Sequence, residues 1–341
     1  MEWQDSTSLL APSTSTASPL GRVQKAPDYG LNFFLSGSMG RADEHEERLL
    51  AELQCRLCSC HGNYVRDAKR WAGLVSRPDN QVRYFMLDSG AFTGWKSNHP
   101  VVLTDLIRIY SEVMALVDQC KVKVFLINLD VIPGSPGVTA DAAAVEAAIK
   151  QSDINFGILS KEFGDCVIPV YHQNESEARL REVLAMSDYI CASPRNDLPE
   201  WTRVKWSEEV HQKLPPGKRT HGLATTGSQM MSRVPWWSVD SAAWLFSGAM
   251  GKVDCLHDGR WVSINISKES PDRFNRGNHY DNCTQDIRDV IDRRAAFHNI
   301  EVAKLRDDHM ARKLLNGLEI IEWLKTFKFQ PVAYQPTLFD L

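Results

Sequence analysis

A closed (β/α)8, TIM-like barrel with a hairpin insertion and C-terminal helices is the α/β architecture this sequence predicts. Apolar run, polar end and helical stripe recur at least five times between residues 30 and 245. Such alternation gives parallel strands joined by right-handed crossovers. Length agrees, because 341 residues hold one barrel of about 250 residues with additions. A third observation is negative. No Gly-x-Gly-x-x-Gly follows the first strand and no Gly-x-x-x-x-Gly-Lys-Ser/Thr occurs anywhere, which argues against an open sheet built for a dinucleotide or a P-loop.

Residues 1–28 are rich in Ser, Thr and Pro without periodicity and read as a disordered tail. The barrel with its C-terminal helices is expected over residues 29–330. Leu31–Leu35 is the first strand, ending in Ser36-Gly37-Ser38, and a helix follows from about Asp43 with Leu49, Leu50 and Leu53 on one face. Cys55, Cys58, Cys60 and His61 are too crowded to close a tetrahedral zinc site and read as buried thiols near a helix end. Tyr84–Leu87 is a strand apolar on both faces that runs straight into Asp88-Ser89-Gly90. Leu103 to Val117 carry a helical stripe. Val122–Asp130 is a strand ended by Asp130, with Pro133-Gly134 as the break and a helix at Ala142–Ile149. Cys166–Tyr171 is a strand ending in His172-Gln173-Asn174; Glu177–Met186 is helical; Tyr189–Ala192 is a short strand ending in Ser193-Pro194. Arg219–Leu223 and Trp237–Asp240 are two more strands. Asp258-Gly259 before Trp261–Ile266 marks a hairpin inserted ahead of a last barrel strand. Residues 284–325 are helical, and Leu314, Leu315, Leu318, Ile321 and Leu324 form a core stripe.

The net charge of -4 excludes a general polycation, so nucleic acid would have to meet a local basic face. Arg203 with Lys205, Lys218 with Arg219, Arg273 with Arg276, Arg293 with Arg294, and Arg312 with Lys313 are the pairs that could supply one. Eight cysteines in a chain this long are not a disulfide framework. No secretory signal or membrane-spanning run is visible, so a cytoplasmic setting is expected.

Asp88, Asp130 and Asp240 end three strands, and His172 with Gln173 ends a fourth. In a barrel these ends face one centre, where polar groups are costly unless used. Paired carboxylates there suit substitution at a glycosidic carbon, one attacking and the other moving the proton. A further carboxylate can accept the N–H edge of a guanine-like base while Gln donates to its carbonyl. Phe92, Trp95 or Tyr171 can stack on the base or fill the core.

Leu87-Asp88-Ser89-Gly90-Ala91-Phe92 resembles the Asp-Ser-Gly-Gly-Phe motif of tRNA-guanine transglycosylases. Asn128-Leu129-Asp130 falls where that family reads the base with Asp, and Val170-Tyr171-His172-Gln173 where it uses Gln. Tyr189 to Ser193 sits where the family has a Gly-Gly-Leu loop. His221-Gly222-Leu223-Ala224 followed by Ser238-Val239-Asp240-Ser241 resembles the segments that lead to the nucleophile, and Asp258-Gly259 with Ile264-Asn265-Ile266 the hairpin after it. The likeness covers about residues 30–270. It is nearest to the phage and genomic-island branch, which has Asp-Ser-Gly-Ala-Phe and a Val-Asp-Ser-x-x-Trp segment (here Val239 to Trp244).

That resemblance implies exchange of guanine in DNA, or in tRNA, for a 7-deazaguanine base. Asp240 would be the nucleophile, and Asp88 would handle the proton or hold the base. Ser89, Gly90, Phe92, Asp130, His172, Gln173, Ser193, His221 and Gly222 would bind substrate. The chain departs from the tRNA enzymes twice. Their zinc-binding Cys-x-Cys-x-x-Cys spacing is absent, with only Cys255, His257, His279 and Cys283 downstream, so neither a metal nor another cofactor is expected. Their nucleophile is the second Asp of Val-Asp-x-x-Asp, where this chain has Ala243. Either Asp240 serves instead, or the chain is a non-catalytic nucleic-acid-binding subunit. From fold alone, a barrel lyase or isomerase acting on a small molecule remains a third class. Finally, residues 331–341 form a peptide in which Gln335, Leu338 and Phe339 resemble the bacterial sliding-clamp-binding motif, which favours DNA as the partner.

Overall fold

Two-residue side-chain alternation builds the molecule from the inside out. The computed structural model describes residues 30–39, 44–134, 138, 140–173, 175–274 and 279–329. The tail at 1–28 and the peptide at 331–341, with Gln335, Leu338 and Phe339, lie outside the described residues.

The parallel strands are β1 (Asn32–Leu35), β2 (Cys55–Ser59), β3 (Tyr84–Asp88), β4 (Lys123–Ile127), β5 (Val167–Ile168), β6 (Val170–His172), β7 (Tyr189–Ser193), β8 (Arg219–Gly222) and β9 (Ser238–Ser241). Their order is β5-β4-β3-β2-β1-β9-β8-β7-β6. Only Pro169 separates β5 from β6, so the two ends of that order are one strand and the sheet is an eight-stranded ring. Proline has no N–H for a ladder, and the strand changes partner there. β5 pairs with β4 through Leu126↔Val167 and Ile127↔Ile168, and β6 pairs with β7 from Val170↔Cys191 onward. Above Pro169 the ladder between β4 and β6 stops.

Helices follow the strands: α1 (Glu44–Glu52), α2 (Val65–Val75), α3 (Ala91–Ser97) with α4 (Leu103–Met114), α5 (Ala142–Phe163), α6 (Glu177–Met186), α7 (Glu200–Gln212), α8 (Ser228–Arg233) and α9 (Ala243–Ala249). Alternate strand positions serve different cores. Phe34, Cys55, Leu57, Met86, Phe125, Ile127, Ile168, Val170, Tyr189 and Cys191 fill the barrel. Phe33, Leu35, Cys58, Phe85, Leu87, Val124, Leu126 and Val239 pack outward on the helices. At the floor Tyr84, Phe125, Tyr189 and Trp237 interlock, with ring centres 4.8 to 5.9 Å apart. Most of these rings meet edge to face, the arrangement their quadrupoles favour. Arg219 closes the floor over Trp237 at 4.9 Å.

Two expectations are corrected. Cys55 and Cys58 lie on β2, and Cys60 just beyond it, rather than near a helix end. Arg56 disguised this strand. It points outward yet is buried, lying 4.4 Å over the Trp71 ring. Its guanidinium donates to the carbonyl of Leu35 at 2.5 Å and to that of Gly37. A buried arginine needs such partners, and none is readable locally. The second correction is the hairpin. β10 (Lys252–His257) and β11 (Arg260–Asn265) follow the last barrel strand instead of preceding it, because β9 already pairs with β1. Positive φ at both Asp258 (47°) and Gly259 (74°) gives the two-residue turn whose twist suits a hairpin.

The chain ends in α10 (Gln285–Phe297), α11 (Val302–Asp307) and α12 (His309–Thr326). α12 buries Leu314, Leu315, Leu318 and Ile321 against α9, α1 and β10. Among the described residues no helix is long and apolar enough to cross a membrane.

Candidate active site at the barrel mouth

The alternation that puts Leu57, Met86, Val170 and Cys191 inside the barrel also decides what stands above them. Two residues further along the same strands come Ser59, Asp88, His172 and Ser193. β8 and β9 add His221 and Asp240. All point to the carboxyl ends of the strands, where barrels of this kind keep their chemistry. Asp130 arrives from the loop after β4. That loop is pinned by α5: Asn128 donates to the Ser152 carbonyl at 3.0 Å, the Ser152 hydroxyl accepts from Val131 N at 2.8 Å, and Asn155 donates to the Leu129 carbonyl at 2.7 Å.

Asp88 lies close enough to Asp240 and Asp130 to feel both charges. Its carboxyl is pushed up to about 6, first by burial and then by the neighbouring charges of Asp240 and Asp130. The Gly90 N–H and the Ser59 hydroxyl work the other way by steadying the ionised form. Gly90 is required for this turn. Its φ is 81°, and a Cβ there would stand 2.3 Å from the Cβ of His61. Only glycine accepts both conditions. The same contact shows that the β2–α2 and β3–α3 loops pack together. Ser89 is fully buried and its hydroxyl accepts from Ala91 N at 3.3 Å, holding the start of α3.

Asp130 Oδ2 accepts from His172 Nε2 at 2.9 Å. Burial alone would lower the imidazole's affinity for a proton. The Asp130 hydrogen bond and charge, with Glu175, outweigh it and raise the pKa. Glu175 also accepts from the His172 backbone N–H at 3.0 Å and is itself raised, chiefly by burial. This side of the mouth therefore pairs Asp130 with an imidazole whose hold on its proton that contact strengthens. Gln173 lies beside it: its Oε1 accepts from Arg195 N at 2.8 Å and its backbone N–H donates to the Ser193 carbonyl at 3.1 Å. No partner takes its NH2 group among the described residues.

Asp240 is held by a chain that runs down the barrel axis. Oδ1 accepts from Ala224 N at 2.9 Å and lies 3.4 Å from His221 Nε2. His221 Nδ1 meets Ser238 Oγ at 2.7 Å, and Ser238 Oγ meets Tyr189 OH at 2.6 Å. One assignment has Tyr189 donate to Ser238 and Ser238 to His221 Nδ1, which leaves His221 Nε2–H buried 3.4 Å from Asp240 without a hydrogen-bond partner among the described residues. The other carboxylate oxygen accepts no hydrogen bond among the described residues. Gly222 is buried behind this strand, where a Cβ would meet Thr225 Oγ1 at 2.0 Å.

The structure thus gathers Asp88, Asp130, His172, His221 and Asp240, with Gln173 and Ser193 on the rim beside them. Phe92 is exposed on the first turn of α3, its ring 5.8 Å from Trp95, and Trp95 donates to the Gly134 carbonyl at 2.9 Å. Tyr171 belongs to the outer packing, stacked on Trp206 at 5.7 Å. Sequence reasoning missed Ser59, because it missed β2. It also missed Glu175 and the Ser238–Tyr189 extension, whose partners lie 49 residues apart.

The four downstream candidates for zinc do not converge. Cys255 and Cys283 are buried, His257 is at the exposed hairpin tip, and both His279 nitrogens are engaged, by the Ser267 carbonyl at 3.0 Å and by Asp281 N at 3.1 Å. Among the described residues no three His, Cys, Asp or Glu side chains are placed to hold a metal ion. Several of the basic pairs serve the fold instead: Lys218 binds Asp188, Arg294 binds Glu319, and Arg312 donates to the carbonyls of Gly248 and Leu305. No family model matches the sequence, and no curated protein matches it.

Proposed function

We propose that the protein is a base-exchange transglycosylase that replaces guanine in nucleic acid, DNA in preference to tRNA, with a 7-deazaguanine base. The observation that carries this reading is the carboxylate cluster at the mouth, with Asp88 held near 6 by burial and by Asp240 and Asp130. A group that changes protonation near neutrality suits acid–base work, and an anchored carboxylate with one oxygen unengaged suits attack. The resemblance of residues 87–92 and 239–244 to guanine transglycosylases supplies the substrate class.

In the proposed reaction the unengaged oxygen of Asp240 forms a bond to C1′ of a guanosine unit. The C1′–N9 bond breaks and its electron pair stays with guanine, which takes a proton from Asp88. A glycosyl ester on Asp240 remains. The incoming 7-deazaguanine gives its N9 proton to Asp88, N9 bonds to C1′, and Asp240 is released. Two displacements retain the anomeric configuration. Asp130, hydrogen-bonded to His172, accepts from the base's N–H edge, and the Gln173 NH2 donates to its carbonyl. No redox step enters. The target nucleotide must be unpaired or turned out of its duplex to reach the mouth.

Labelled-guanine exchange into DNA and into tRNA, with and without 7-deazapurines, tests the reading. Wild type should give a denaturation-resistant adduct with a guanine-containing strand, and Asp240→Ala should abolish the adduct without abolishing binding. Ala243, standing where the family's second aspartate would be, favours one other reading: a silent barrel that grips nucleic acid for a partner. Binding without any adduct in wild type would establish that reading in place of catalysis. The preference for DNA rests on the Gln335, Leu338, Phe339 peptide, and loss of clamp binding on Phe339→Ala would support it.

A further inference from the structure

From the loops around the mouth we infer that the protein grips an unpaired polynucleotide strand on both sides of the target nucleotide, using an aromatic rim flanked by free cations. This rests on the transglycosylase reading and adds to it how the rest of the strand is held. Three large aromatic side chains are exposed just past the carboxyl ends of strands. Tyr64 follows β2 and is 51 % exposed, Phe92 follows β3 and is 54 % exposed, and Trp201 follows β7 and is 67 % exposed. Single exposed rings are ordinary on a protein surface; what singles these three out is their place beyond the strand ends that carry the carboxylates. In the ring of eight strands β2 and β7 lie opposite one another, so Tyr64 and Trp201 stand on opposite banks with the carboxylates between them. Tyr64 and Phe92 share a bank, because their loops touch where His61 blocks Gly90.

The cations complete the pattern. Arg66 and Lys96 are exposed, one just past Tyr64 and the other one turn past Phe92. Neither has a carboxylate within ion-pair distance among the described residues, whereas Arg70, Arg77, Arg108, Arg179 and Arg181 each do. On the far bank Arg203, in the first turn of α7 beside Trp201, meets only the Asn196 amide oxygen at 3.1 Å. Rings that stack on bases, interleaved with charges that meet phosphates, are the means by which proteins hold single strands without reading their sequence. Paired bases offer no open face to such a rim, so the strand must be unpaired on both sides of the guanine. DNA and RNA present the same faces and charges here, and the 2′-hydroxyl is what the test must separate.

The test uses the full chain and fluorescein-labelled strands of about twelve nucleotides with one central guanine, as DNA, as RNA and as a DNA duplex. Anisotropy should show the single strands binding at least about tenfold tighter than the duplex. Tyr64→Ala and Trp201→Ala should each weaken single-strand binding by about 5- to 100-fold, and Tyr64→Phe and Trp201→Phe should restore it. Arg66→Gln with Lys96→Gln should lower the salt dependence by about two phosphate contacts. Duplex binding as tight as single-strand binding, or unchanged affinity in both alanine variants, overturns the rim. Base exchange is followed in parallel on the same strands. Exchange that persists while the alanine variants bind normally overturns the rim and leaves the transglycosylase standing. Rim-dependent binding without exchange does the reverse.

Discussion

Replacing Asp88 by Asn should separate stability from chemistry. The folded carboxyl titrates near 6, above the roughly 3.9 of an unfolded chain. Between those values the native state holds the extra proton, so stability falls as pH rises through the window. The asparagine has no charge to bury. At about pH 8 the variant should resist urea better by about 1 to 3 kcal/mol, and the gain should disappear below about pH 4. Exchange should fall by about 10²-fold or more. No stability gain at alkaline pH would mean that the site does not oppose this charge. Ser238 tests the other carboxylate. Ser238→Ala leaves the Tyr189 hydroxyl buried without its partner, which costs about 1 to 3 kcal/mol. Adding Tyr189→Phe should recover much of that loss, a coupling that a double-mutant cycle measures. Exchange should stay low in both, because His221 is then free to choose its tautomer. Asp88 and Asp240 were legible because each is one residue type at one strand position, whereas Asp130, read as the end of a strand, lies three residues past β4 on the loop that α5 pins. Ser238 and Tyr189 were not: their roles come from partners that only barrel closure brings together.

Among elements, α12 carries the largest concentration of unseen polar chemistry. Glu319 is fully buried, where burial would favour its neutral form. His298, Arg294 and the Leu256 N–H more than offset this and hold its pKa below the usual carboxylate range. The contacts are 2.6 Å to His298 Nε2, 2.8 Å to Arg294 Nε and 2.6 Å to Leu256 N. They tie α12 to α10 and to β10. Glu319→Ala strands a guanidinium and an imidazole, and should cost about 3 to 5 kcal/mol in chemical denaturation. Glu319→Gln, which keeps an acceptor, should cost less. Wild type should lose this contribution only as pH falls below the usual carboxylate range, since the folded pKa is the depressed one. The apolar stripe of α12 was plain in the sequence, but it predicted packing alone. β2 stayed hidden for a related reason, since Arg56 in mid-strand reads as exposed until Trp71 and the β1 carbonyls surround it.

At the level of the whole molecule, barrel and C-terminal helices share one outer core, in which Phe33 and Leu35 of β1 join Leu315, Leu318 and Ile321 of α12. Heating should therefore give one transition, with tryptophan fluorescence and far-ultraviolet dichroism coinciding. Two separated transitions would show that the helices fold apart from the barrel. The barrel itself was legible in the sequence, because strand alternation and the order of polar strand ends are local patterns. The partner change at Pro169 was not, because a proline says where a donor is missing and not which neighbour is lost. Its effect reaches the mouth. Once the backbone ladder between β4 and β6 ends, the next link across that gap is Asp130 to His172. One stave of the cask is thus sewn to its neighbour by a stitch that titrates. A rise in pH that takes the proton from His172 slackens the wall on the Asp130 side of the mouth, while the Asp240 side keeps its full set of hoops.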